Sequence, residues 1–138
     1  MKSITLKKRE IPLIYTVFEM KQIQDEIGPL GKAIDIILGR NPDDKKDMSN
    51  YCSAGHLAAV AKLVRILGNA GLEEAGEAPD LTDKTVMRAI KPAQIIDVIN
   101  ACMDAMNEGM ASEIPDKAND EPVDVMLEEI ERKKEQAG

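Results

Sequence analysis

The sequence predicts a mainly helical (α+β) protein: an N-terminal β-hairpin, a bundle of about five helices and a C-terminal helix tethered by a linker. Polar and apolar residues alternate near the N-terminus, which is typical of strands. Further along, apolar residues recur every three or four positions, which is typical of amphipathic helices. We therefore expect a hairpin and helical body over residues 1–110, a linker over 111–122 and an amphipathic helix over 123–138.

The hairpin is predicted from two short β-prone segments, residues 3–6 and 11–15. Pro12 lies near the start of the second segment, where a missing N–H is tolerated at the edge of a sheet. Thr16 and Glu19 have the spacing of a capping box, in which side chain and backbone bond reciprocally at a helix start. The second strand is therefore expected to lead directly into a helix.

Five helices are predicted in the body from their apolar periodicity and from the prolines and glycines between them. The third is apolar around most of its circumference, which is typical of a helix at the centre of a domain. We expect it to end at Gly68–Gly71 and to be followed by a polar connection over residues 72–79. The predicted helices span residues 16–28, 29–38, 50–68, 82–90 and 92–109. The last has an apolar stripe of Ile95, Ile96, Ile99, Cys102, Met103 and Met106.

Composition and charge narrow the class of protein. Aromatic residues make up 2% of the chain, so the core must be aliphatic. Two cysteines do not form a disulfide framework, and neither a signal sequence nor an apolar run near the ~20 residues of a membrane span is visible. We therefore expect a cytoplasmic protein with reduced thiols. The net charge is −7, and the excess lies entirely in residues 104–138, which argues against nucleic-acid binding.

Cys52 and His56 are the strongest candidates for metal or catalytic chemistry, because they lie four residues apart on one predicted helix face. Two ligands do not hold a zinc ion, and no second histidine or Cys-x-x-Cys pair completes the set. The chain also lacks a glycine-rich phosphate loop. We interpret both residues as buried packing residues and predict no enzyme, no catalytic residue, no metal ligand and no cofactor.

Two apolar stripes are candidate surfaces for binding a partner protein. The first is Met103, Met106 and Met110, because methionine is flexible and suits adaptable recognition, although core packing is the favoured interpretation. The second belongs to the predicted C-terminal helix, which is too short to be stable alone in water. This stripe must lie on its own domain, on a second copy through weak self-association, or on a partner. It consists of Val123, Met126, Leu127 and Ile130.

Short segments along nearly the whole chain resemble one protein family. They include Ile-Pro-Leu-Ile-Tyr at 11–15, Leu-Gly-Asn-Ala-Gly-Leu at 67–72 and Lys-Pro-Ala-Gln-Ile-Ile at 91–96. The others are residues 4–7, 18–28, 81–86, 107–110 and 124–134. In these segments the chain resembles the tail assembly chaperones of phages and prophages of low-GC Gram-positive bacteria.

The resemblance implies a mostly helical fold without enzymatic activity. It also implies two partners: the tape measure protein, which such chaperones coat and keep soluble, and the tail tube protein, whose subunits they help to recruit. The acidic C-terminal part would keep such an assembly soluble. The alternative is a small acidic adaptor or inhibitor of a nucleic-acid-binding partner, whose binding would collapse with added salt. Apolar chaperone binding would depend less on salt and show a negative heat-capacity change.

Overall fold

The computed structural model describes residues 2–111, which form a two-stranded sheet and five helices. This confirms the predicted α+β class and the order of its elements. The predicted C-terminal helix, and the linker beyond Ala111, lie outside the described residues. Within residues 2–111, no helix combines the length and apolar character needed to cross a membrane. The strands are β1 (Lys2–Leu6) and β2 (Arg9–Leu13), and the helices are α1 (Val17–Glu26), α2 (Leu30–Ile37), α3 (Ala54–Glu74), α4 (Asp83–Ala89) and α5 (Ile95–Met110), with a 3₁₀ turn at Pro92–Gln94.

The hairpin is antiparallel and its turn consists of Lys7 and Lys8. Both residues have positive φ angles, 48° and 68°, as the tightest two-residue hairpin turn requires. Pro12 pairs with Ser3 in this two-stranded sheet, so its missing N–H interrupts no central strand. One face of the hairpin is buried against the helices, and it consists of Ile4, Leu6, Ile11 and Leu13.

The predicted capping box starts α1. The buried carboxylate of Glu19 accepts hydrogen bonds from the Thr16 N–H, at 2.8 Å, and from the Thr16 hydroxyl. Tyr15 is buried immediately before this box. The strand therefore leads into the helix through two polar residues that satisfy each other.

Helix α3 is the centre of the fold, as predicted from its nearly continuous apolar surface. It contacts β2 and each of the other four helices. Because it is surrounded on several sides, it contributes more to the core than any other described element. Its buried apolar side chains are Ala59, Val60, Ala61, Leu63, Val64, Ile66, Leu67 and Leu72.

The expected end of α3 at Gly68–Gly71 is wrong, because the helix continues to Glu74. The glycines instead allow neighbouring elements to approach the helix closely. A Cβ atom on Gly71 would lie 1.8 Å from the carbonyl oxygen of Pro12, and one on Gly68 would lie 2.6 Å from Cδ1 of Leu81. Gly71 therefore excludes a side chain because it packs against backbone, whereas a side chain at Gly68 would require the end of the Leu81 side chain to move.

The C-cap of α3 is Ala75, and it is followed by Gly76 with a φ of 78°. This is the left-handed conformation that glycine commonly supplies after a helix. Leu72, which was expected in a polar connection, is fully buried. The predicted polar connection over residues 72–79 is therefore wrong at its start.

Helix α5 begins close to its predicted position, after the 3₁₀ turn that opens at Pro92. Ile96 departs from the predicted apolar stripe, because its side chain is 58% exposed. Relative to the predicted stripe, the buried face of α5 is rotated about the helix axis away from Ile96. Val98 and Ala105, which were not part of the predicted stripe, are buried instead. Ile96 is therefore a surface residue.

Candidate functional site

An apolar groove lies between α3, α4 and the start of α5. Its volume is about 350 Å³, within the range of ligand and peptide pockets. Nearly all of its surface is apolar. The groove is lined by Cys52, Leu57, Val60, Ala61, Met87, Ile90, Pro92 and Ile95.

The wall formed by α4 is held against α3 by polar contacts as well as by packing. Val86 is fully buried, and the Arg65 guanidinium of α3 donates to the Asp83 carboxylate at 2.6 Å. The Asn69 amide bonds both backbone groups of Leu81, donating to its carbonyl at 3.1 Å and accepting from its N–H at 2.9 Å. These contacts fix the position of a helix that is only seven residues long.

Two large apolar side chains of the groove remain open to solvent. Leu57 is 36% exposed and Met87 is 45% exposed. Single exposed apolar residues are common on protein surfaces, but here they continue an apolar groove. Contiguous apolar surface of this kind is typical of a site that another apolar surface covers.

Three cations lie next to groove-lining residues in the sequence of α4 and of the segment after it. Lys84, Arg88 and Lys91 are exposed, and Met87 lies between them in sequence. None of the three forms an ion pair with another residue of the 2–111 region, whereas Arg9, Lys21 and Arg65 pair with carboxylates. The segment from Lys84 to Lys91 therefore carries three cations that are open to pairing with acidic groups of a ligand.

His56 has a structural role next to the groove-lining residue Cys52. It is 2% exposed; its Nδ1 accepts from the Cys52 N–H at 2.8 Å, and its Nε2 donates to the Ile37 carbonyl at 2.8 Å. The expectation that Cys52 and His56 share a helix face is wrong, because α3 begins at Ala54 and Cys52 has a φ of 63°. Both nitrogens of the imidazole are used by backbone groups, which leaves neither for proton transfer.

The two cysteines differ in accessibility. Cys52 is exposed and lines the groove, so its interpretation as a buried residue is wrong, whereas Cys102 is buried in the core. Burial raises the pKa of the Cys102 thiol from 9.0 to about 12. Among residues 2–111, no three His, Cys, Asp or Glu side chains are grouped as a metal ion would require.

The pKa of Cys102 predicts how stability depends on alkaline pH. Between its unfolded value of 9.0 and about 12, the unfolded chain loses a proton that the folded chain retains. The contribution of the Cys102 thiol to the free energy of unfolding is thus fully present below pH 9.0 and is lost as the pH rises towards 12. We expect the stability advantage of the parent over Cys102→Ala to shrink by about 1.4 kcal/mol per pH unit in this range. Urea unfolding measures it, and an advantage that stays constant above pH 9.0 would contradict the assignment.

The methionine stripe lies on α5, away from the groove lining. Met106 is 5% exposed and belongs to the core, while Met103 and Met110 are half-buried and pack against it. The structure thus places these residues as the core-packing interpretation expects, and partner binding through them stays a prediction. The second stripe, Val123, Met126, Leu127 and Ile130, lies outside the described residues.

A second cavity, of about 520 Å³, lies at the opposite end of α5. Val17, which is 80% exposed, contributes to its lining. Its lining also includes Thr16, Glu74 and Glu108, so it lacks the apolar character of the groove. It is a weaker candidate for an apolar ligand.

The groove is the feature that the sequence did not predict. Its lining residues come from the segment before α3, from α3, from α4 and from the start of α5, and no single periodic stripe contains them. Comparison of the chain with protein-family models, with curated proteins and with solved structures finds no match. The function of the protein is therefore inferred from the groove and from the amino-acid sequence.

Proposed function

We propose that this chain is a chaperone without catalytic activity that binds an apolar helix of its partner in the groove between α3 and α4. The observation that carries the proposal is the groove itself, with Leu57 and Met87 exposed along it. An amphipathic helix that places its apolar face in such a groove is a recurrent mode of protein recognition.

The partner we propose is the tape measure protein of a phage tail, with the tail tube protein as a second partner. The family resemblance of the sequence supports this choice. A tape measure protein is a long, largely helical chain with apolar faces, which aggregate when nothing covers them. A groove that covers such faces one helix at a time would keep the partner soluble until the tube assembles.

Co-expression with the long helical protein encoded just downstream tests the partner. We expect that protein to become soluble and to elute with this chain in size-exclusion chromatography, and to be insoluble when expressed alone. If it is soluble alone and elutes separately, the tail-assembly role is wrong.

A matched pair of substitutions tests the location of the binding site. Met87→Asp places a charge in the groove, and Val17→Asp places the same charge on an exposed apolar position outside it. Because burying one Met side chain is worth about 1.5–3 kcal/mol, we expect Met87→Asp to weaken partner binding at least about tenfold. Val17→Asp is expected to leave affinity unchanged, as measured by titration calorimetry. If Val17→Asp weakened partner binding more than Met87→Asp did, the binding site would lie outside the groove.

The same titration separates this function from that of an acidic adaptor. Apolar binding predicts a negative heat-capacity change and an affinity that changes little with salt. An adaptor that imitates nucleic acid would lose most of its affinity as salt is added.

A further inference from the structure

We infer that the groove between α3 and α4 is a docking site for this chain's own C-terminal segment, residues 123–134, which occupies it until a partner helix displaces the segment. This inference rests on the proposed function, since it assigns regulation to the same groove. The argument uses the reach of the chain, the apolar pattern of the segment and the charges on both sides.

The C-terminal segment is long enough to reach the groove. Helix α5 is 16 residues long; it begins at Ile95, which lines the groove, and ends at Met110. The two ends are therefore about 24 Å apart at ~1.5 Å per residue. Residues 111–122 can span up to about 40 Å when extended, at ~3.3–3.6 Å per residue. The stripe that follows can thus return along α5 to the groove.

The pattern of the segment fits an apolar groove. Residues 123–134 carry four apolar side chains at the spacing of one helix face, and a helix of that length is marginal in water without a surface to lie on. Within a single chain, docking is favoured by an effective concentration in the millimolar range. In the absence of a partner, the C-terminal segment would thereby cover the exposed side chains of Leu57 and Met87 in the groove.

Charge complementarity supports this occupant over an uncharged one. Residues 112–138 contain nine acids and four bases; Asp124 lies within the span of the stripe and Glu131 follows it directly. Lys84, Arg88 and Lys91 adjoin the groove-lining residues Met87, Ile90 and Pro92 in sequence, and they have no acidic partner in the described part of the chain. An acidic helix whose apolar face enters the groove would bring its carboxylates towards these cations.

Cys52 supplies a reporter for occupancy that needs no partner protein. It is exposed and lines the groove, while the thiol of Cys102 is buried and has a pKa of about 12. A maleimide therefore reacts at Cys52 alone in the folded protein, because the thiolate is the reactive species. A segment that lies in the groove would slow this reaction.

Two full-length variants test the docking. Leu127→Asp interrupts the apolar stripe, whereas Val125→Asp adds the same charge to the same segment on the opposite helix face. We expect Cys52 to react at least about tenfold faster in Leu127→Asp than in the parent, since burial of one leucine shifts an equilibrium by about that factor or more. Val125→Asp is expected to react at the parent rate.

Equal rates in the parent and both variants would overturn the docking. A parent rate that falls as the protein concentration is raised would also overturn it, because the segment would then occupy the groove of a second copy. Neither result depends on partner binding, so the groove remains a candidate partner site if docking fails. Conversely, docking can hold when the downstream protein does not bind, which separates the two proposals.

Discussion

Gly71→Ala is expected to destabilise the protein by about 3 kcal/mol or more. The added Cβ would lie 1.8 Å from the Pro12 carbonyl oxygen and 2.4 Å from its carbonyl carbon, so strand β2 must move away from α3. A backbone contact cannot be relieved by a change of rotamer. Total stabilities of domains this size are about 5–15 kcal/mol, so the loss would be visible as a large decrease in the urea midpoint.

Gly55→Ala is the matched control, because it lies in the same helix and a Cβ there would meet nothing within 4 Å. Alanine favours the helical conformation over glycine by up to about 1 kcal/mol, so Gly55→Ala should be neutral or stabilising. Gly71→Ala with the stability of Gly55→Ala would contradict the close approach of the hairpin to α3.

His56→Leu is expected to cost about 3 kcal/mol, because it removes the partners of two backbone groups. The Ile37 carbonyl loses its donor at 2.8 Å, and the Cys52 N–H loses its acceptor at 2.8 Å. Leucine fills much of the space but satisfies neither group. The loss is measured by urea unfolding monitored through helical circular dichroism.

Cys52→Ser provides the control for His56→Leu. It keeps the backbone N–H that His56 accepts from, and it changes only an exposed side chain. We expect its unfolding midpoint to match that of the parent. A near-neutral His56→Leu would show that the imidazole does not hold these two segments together.

The elements that the sequence predicted well are those with local signals. The Thr16–Glu19 capping box involves residues three apart, and α1 and α4 start where they were expected, whereas α3 starts at Ala54 and not at residue 50. The two strands are also predicted from local alternation, although β2 spans Arg9–Leu13 and not the expected residues 11–15. In these segments, neighbouring residues alone determine the backbone conformation.

The sequence-based predictions are wrong where the structure of a segment depends on residues that are distant in sequence. Whether Gly71 ends a helix or admits a neighbour depends on Pro12, which is remote in sequence. The role of His56 likewise depends on the Ile37 carbonyl, which the chain brings close only by folding. The groove could not be predicted for the same reason, because helix α4 is too short to show a stripe and its walls come from several elements.

Methyl NMR of methionine-labelled protein tests the central claim most directly, namely that a partner helix binds between α3 and α4. Met87 lines the groove, Met48 is 46% exposed outside the lining, and Met103 and Met110 lie on α5. On addition of the co-eluting partner, we predict a large change in the Met87 methyl resonance and none in that of Met48. Changes at Met103 and Met110 with an unchanged Met87 would contradict the groove and favour the methionine stripe of α5 as the binding surface.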